Sequence, residues 1–112
     1  MSIFSGKETV FGPELMSVGD FDPREDGGYR NVIVTQIKVR PKRMLYVRVR
    51  SDNPVDVAVV DQKGRPVGHK DGVTDDILGP ISTETWTDMG FAVGLFRGDK
   101  AKAEVEIWTE RR

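Results

Sequence analysis

The chain has 112 residues, 17 basic and 18 acidic side chains for a net charge of −1, a single histidine and no cysteine. That size supports one hydrophobic core, hence a single domain over residues 1–112, and no second domain. The charge balance excludes a general attraction to nucleic acid or anionic lipid, and the lack of cysteine excludes disulfides, thiolate nucleophiles and cysteine-ligated zinc.

From the amino terminus, Val10-Phe11 and Leu15-Met16-Ser17-Val18 are short apolar pieces separated by Gly12-Pro13 and closed by Gly19-Asp20. Neither has the length of a helix, so residues 1–30 are expected to form an irregular segment packed on the domain. Asp20 to Tyr29, with Pro23 and Gly27-Gly28, reads as a surface loop whose carboxylates serve solvation. Asn31 to Arg40 is the first predicted strand. Ile33, Ile37 and Val39 share one parity, and Val32 and Val34 the other. Its first half is therefore expected to be covered on both faces, by the amino-terminal segment or by another chain.

Pro41 interrupts, and Arg40-Pro41-Lys42-Arg43 leads into the clearest stretch of the chain. Leu45, Val47 and Val49 alternate with Tyr46, Arg48 and Arg50, the period of a strand with one buried and one wet face. Ser51-Asp52-Asn53-Pro54 is expected to break the strand before Val55, Val57 and Val59 resume the alternation against Asp56, Ala58 and Val60. Asp61 to Pro66 predicts a turn, with Gly64 available for positive φ. A short strand at Val67-Gly68-His69, a long polar loop from Lys70 to Pro80 and an edge strand from Ile81 to Thr87 follow. Phe91, Val93 and Leu95 then alternate with Ala92, Gly94 and Phe96, and Arg97-Gly98-Asp99-Lys100 makes a turn. Ala101, Ala103, Val105 and Ile107 alternate with Lys102, Glu104, Glu106 and Trp108, completing a predicted hairpin. Outward Glu104 and Glu106 are placed to pair across strands with outward Arg48 and Arg50.

The run from Leu45 to Asp61, with its Ser51-Asp52-Asn53-Pro54-Val55-Asp56-Val57 start of a strand, the stretch Asp88 to Phe96 and the Ala-rich last strand resemble the GOLD-type (Golgi dynamics) jelly-roll sandwich family over about residues 31–109. The resemblance implies a non-catalytic protein-interaction fold. Golgi cargo receptors of that family add a signal peptide, a disulfide, a coiled coil and a membrane span, none of which these residues contain. Cargo transport is therefore not implied.

His69, between Gly68 and Lys70, is the only candidate general base, and no sequence signature of a nucleophile elbow, P-loop or dinucleotide site accompanies it. Asp71, Asp75 and Asp76 are weak candidates for calcium ligands, since oxygen donors are all that calcium needs. Their spacing is not that of an EF-hand, and an acidic solvated loop explains them. Tyr46, Trp86, Phe96 and Trp108 fall on outward parities, beside Arg48 and Arg50. Such amphipathic aromatics suit a protein interface or a carbohydrate platform, while a single-stranded nucleic-acid platform would be neutralised by Glu104 and Glu106.

These residues predict an all-β, antiparallel, jelly-roll-like sandwich of seven or eight strands. Its core is Ile33, Ile37, Val39, Leu45, Val47, Val49, Val55, Val57, Val59, Phe91, Val93, Leu95, Val105 and Ile107. The function expected is non-enzymatic protein interaction or assembly, with self-association through a face containing Tyr46, Arg48, Arg50, Trp86, Phe96 and Trp108. The alternative is a ligand-binding module for carbohydrate or calcium. No cofactor, nucleic acid or membrane partner is expected. With no signal-peptide-like run and no stretch of about 18 apolar residues, a soluble cytoplasmic setting is expected.

Overall fold

The computed structural model describes residues 6–19, 31–96 and 100–112. The organising element is β3, Arg43–Val60, an unusually long strand of 18 residues. Both of its alternating runs point their valines inward, and Leu45, Val47, Val55 and Val59 are fully buried. Ser51-Asp52-Asn53-Pro54 does not end the strand; it only shifts the register against its neighbour between Arg50 and Val55. Ser51 Oγ donates to the Asn53 carbonyl at 2.6 Å, and Asn53 Nδ2 donates to the Lys100 carbonyl at 2.7 Å. Side-chain bonds of this kind tie down an irregular stretch without breaking the strand.

Because β3 continues through this irregularity, its two halves take different partners on one edge. Arg43 to Ser51 pair with β6, Ala101–Arg111, whereas Val55 to Val60 pair with β5, Asp88–Leu95. The hairpin predicted for these two segments is corrected accordingly: each docks on its own half of β3. Along the other edge β4, Pro66–Ser82, is antiparallel to almost the whole of β3. β1, Glu8–Val18, adds to β6, and β2, Val32–Lys38, adds to β5. The result is one antiparallel sheet of six strands among the described residues, curled as a half-barrel. Its two wings, β1-β6 and β5-β2, enclose one apolar cluster.

Among the described residues six strands stand where seven or eight short ones are expected, because two breaks predicted from sequence are absent. β3 merges two runs, and β4 absorbs the predicted loop 70–80 together with the short strand before it. The predicted edge strand at Ile81 to Thr87 is correspondingly lost. Ile81 and Ser82 finish β4, and a turn closed by the Trp86 N–H on the Thr83 carbonyl at 2.9 Å follows. The segment expected to be irregular contains β1, which crosses Gly12-Pro13 by a register shift between Phe11 and Glu14. The predicted loop Asp20 to Tyr29 and the centre of the Arg97 to Lys100 turn lie outside the described residues. Of the predicted core, Ile33 and Leu95 are half-buried and the rest buried, and β1 and β4 add Met16, Val18, Val73, Leu78 and Ile81.

The turn predicted at Asp61 forms as read. Asp61 Oδ1 accepts the Lys63 and Arg65 N–H groups, both at 2.9 Å, while Gly64 takes φ 82°. These bonds, the Arg65 N–H first, hold the Asp61 carboxyl below the ordinary carboxylate range, assisted by the Arg65 guanidinium at 3.4 Å.

Candidate interaction surface

Two outward surfaces emerge. The first lies on the β3-β6 wing, where inward Leu45, Val47 and Val49 force Tyr46, Arg48 and Arg50 outward. The register sets Tyr46 opposite Trp108, Arg48 opposite Glu106 and Arg50 opposite Glu104. Tyr46 and Trp108 stack with ring centroids 5.6 Å apart and planes inclined by 15°. The Lys7 ammonium stands 4.7 Å from the Trp108 ring centroid, and the indole N–H donates to Glu110 at 2.8 Å. Only 9% of Trp108 is exposed. A sugar-stacking platform needs an open ring face, and this ring is already covered by its own chain.

The arginine and glutamate pairs are in the predicted register, yet the ion pairs form elsewhere. Arg50 reaches Asp75 on β4 at 3.8 Å, and Glu106 is approached by Lys7 at 4.0 Å. Arg48, Arg50, Glu104 and Glu106 line a cleft of about 120 Å³ with Pro13. Arg48 Nε is buried there without a hydrogen-bond partner among the described residues.

Trp86 and Phe96 do not join this surface. Trp86 packs against the core from the β4–β5 connection, and Phe96, just beyond β5, lies against Gly72 of β4. Phe96 follows Leu95, whose partner Val55 stands nine residues along β3 from Tyr46, roughly 30 Å away. Nor do the acidic candidates converge. Asp75 lies opposite outward Arg50 and Asp76 opposite inward Val49, so the two occupy opposite faces of β4. Asp76 instead accepts from Lys70 and from the Ile77 N–H, both at 2.7 Å, which hold its carboxyl below the ordinary range. Among the described residues no group of three or more His, Cys, Asp or Glu gathers to hold a metal ion. His69 is exposed, opposite Ala58.

The second surface is the side of β2 turned away from β5, where no strand among the described residues pairs with it. Asn31 accepts from the Leu95 N–H at 3.1 Å and Val39 donates to the Thr87 carbonyl at 2.9 Å, in line with the register Ile33↔Val93 and Ile37↔Met89. In an antiparallel pair the bonded residues alternate. The odd-numbered residues therefore bond β5, and Val32, Val34, Gln36 and Lys38 turn their N–H and C=O groups away from the sheet. Their side chains occupy the outer face, with Val32 56% and Val34 68% exposed.

Beside them β5 presents Gly90, Ala92 and Gly94. Neither glycine has the positive φ that would require it. Neighbouring side chains occupy the space instead: a Cβ on Gly90 would stand 2.7 Å from Val60 Cγ2, and one on Gly94 3.3 Å from Val32 Cγ2. A shallow hollow of about 240 Å³, edged by Val34, Gln36, Val60 and Gly90, lies at this end of the face.

The sequence matches no family model and no curated protein. The candidate surface thus rests on geometry alone. Among the described residues no helix is long and apolar enough to cross a membrane. Of the outward aromatics named from sequence, Tyr46 and Trp108 share the first surface, while Trp86 and Phe96 lie away from it. The usable signal was the run Val32-Ile33-Val34, apolar on both parities, which predicted cover on two faces. β1, the amino-terminal candidate for that cover, hydrogen-bonds to β6 and also comes into contact with β2 and β5.

Proposed function

We propose that this chain is a non-enzymatic protein-interaction module that self-associates by accepting a further β-strand along β2. The observation that carries this reading is the outward backbone of Val32 to Lys38, with Val32 and Val34 exposed beside it. Strand addition satisfies such a row of donors and acceptors, and flanking side chains give it specificity. Half-buried Ile33 and Thr35 support the reading from the inner face, where an added strand would complete their cover. Kinship with the GOLD-type jelly-roll sandwiches belongs to the same proposal, supported by the inward valine runs of β3 and by the two wings closing on one core. The cytoplasmic setting fits a chain without cysteine.

Light scattering on the full chain from micromolar to millimolar concentration tests the reading, with Val34→Lys alongside. The expected result is a mass that rises with concentration in the parent and stays monomeric in the variant. A parent that is monomeric throughout would overturn self-association.

A further inference from the structure

Among the described residues the sheet ends in three edges, β1, β4 and β2, and they are not alike. β1 carries Gly12-Pro13 and β4 carries Gly79-Pro80, each within a register shift against its neighbour. Proline removes a donor and the irregularity turns the backbone aside, two devices that keep an edge from pairing. β4 adds Asp71, Asp75, Asp76 and Lys70 along its length. β2 has neither device: Val32 to Lys38 hold an unbroken register with β5, contain no proline or glycine, and carry one charge, at Lys38.

Resting on the reading above, we infer that the strand completing this edge is β2 of a second copy, antiparallel and related by a two-fold axis through Thr35. Backbone parity selects the register. With Thr35 on the axis, Val32 faces Lys38 of the other copy and Val34 faces Gln36. Every outward N–H and C=O of Val32, Val34, Gln36 and Lys38 then has a partner, and a shift by one pair leaves some of them unpaired. Side chains agree with the backbone. On the outer face the two Val34 side chains become diagonal neighbours, and on the inner face Ile33 meets Ile37 of the other copy across the central Thr35 pair.

Charge permits the same arrangement. The two Lys38 side chains stand at opposite ends of the ladder, six residues or about 20 Å apart, roughly two Debye lengths at physiological salt. Each remains paired with Asp88 of its own chain. A ladder of seven residues buries less than the ~800 Å² per partner typical of a tight complex. The dimer is therefore reversible, dissociating in the micromolar range or above.

The absence of cysteine supplies a clean background for the test. Thr35 would face its own copy at a non-hydrogen-bonded site with Cα atoms ~4.5 Å apart, within disulfide span. Ile33→Cys, Val34→Cys, Thr35→Cys and Gln36→Cys are each made in the full chain, oxidised with oxidised glutathione and run on non-reducing gels, with circular dichroism confirming the fold. The expected result is a covalent dimer for Thr35→Cys, at least several-fold more than for the other three, and its loss when Val34→Lys is added. Stronger cross-linking at position 33, 34 or 36, or none at any of them, overturns the two-fold register. If the parent mass still rises with concentration and Val34→Lys abolishes the rise, the edge reading survives that failure. A monomeric parent removes both.

Discussion

Lys42 and Glu84 are both non-glycine residues with left-handed backbones, at φ 59° and 54°, and the Lys42 N–H donates to the Glu84 carbonyl at 2.6 Å. The bond joins the turn before β3 to the turn after β4. Buried Thr83 stands next to it, accepting the Arg43 N–H at 2.9 Å and donating to the Arg40 carbonyl at 2.7 Å. A left-handed conformation costs an ordinary residue about 1–2 kcal/mol, which glycine avoids while losing more chain entropy. Lys42→Gly and Glu84→Gly are therefore each expected to leave stability unchanged or raise it by up to about 1 kcal/mol. Urea unfolding of the two variants checks this, and a clear loss in both would mean that their side chains contribute more than the backbone costs.

The Tyr46–Trp108 stack is expected to couple its members energetically. In a double-mutant cycle with Tyr46→Leu and Trp108→Leu, the coupling free energy should be about 0.5–1.5 kcal/mol, the range for well-placed aromatic pairs. Additive effects would reduce the stack to mere proximity.

Arg48 offers a contrast, since its Nε is buried without a hydrogen-bond partner among the described residues. Arg48→Met keeps an unbranched stem over the sheet and removes the unsatisfied donor. Its stability is expected to equal the parent's or exceed it by about 1 kcal/mol. A charge swap with Arg48 is best tested at Glu106, which lies directly opposite it.

Acid should loosen the turn at Asp61. Its carboxyl titrates below the ordinary range in the folded chain, so between that depressed value and the unfolded one, about 3.9, the unfolded state binds more protons. The stability it contributes is complete above the unfolded value and disappears as pH falls through the folded one. Asp61→Asn is expected to melt lower than the parent at pH 6, with the gap closing below pH 4. Melting temperatures measured by circular dichroism at intervals from pH 2 to 6 test this, and a gap independent of pH would rule it out.

Two glycines with positive φ should separate by surroundings. A Cβ on Gly64, at φ 82°, meets nothing within 4 Å, whereas one on Gly79, at φ 133°, would stand 2.6 Å from the Leu45 carbonyl oxygen. Gly64→Ala is expected to cost about 1 kcal/mol and Gly79→Ala about 3 kcal/mol or more, because the second adds a backbone collision to the strain. Equal losses in thermal melts would contradict the steric account.

Where one side of a strand is sealed and the other wet, the alternation was readable. Leu45, Val47, Val49, Val55, Val57, Val59, Phe91, Val93, Val105 and Ile107 all point inward as predicted. It failed at edges. In β4, Thr74, Asp75, Asp76 and Ile77 are all exposed, so the strand is held there by its backbone and leaves little apolar periodicity. In β1, Gly12-Pro13 splits the pattern in the middle. The predicted interaction face was half legible: Tyr46, Arg48, Arg50 and Trp108 share one wing because parity and register put them there. Trp86 left the face because Thr83 to Trp86 form a turn, and parity has no meaning outside a strand. The free edge of β2 depends on which strands pair, a long-range property that only the dual-parity run Val32-Ile33-Val34 hinted at.

β6 stands between β1 and β3, yet it follows every other strand among the described residues. During synthesis five strands leave the ribosome before the one that fills the gap between them. Until it arrives, the inner edges of β1 and of the first half of β3 both lack their partner. The first wing therefore closes only as synthesis of this region ends. Its many distant pairings predict slow folding for so small a domain, and the nascent chain spends that interval with sticky edges open to chaperones or to its neighbours.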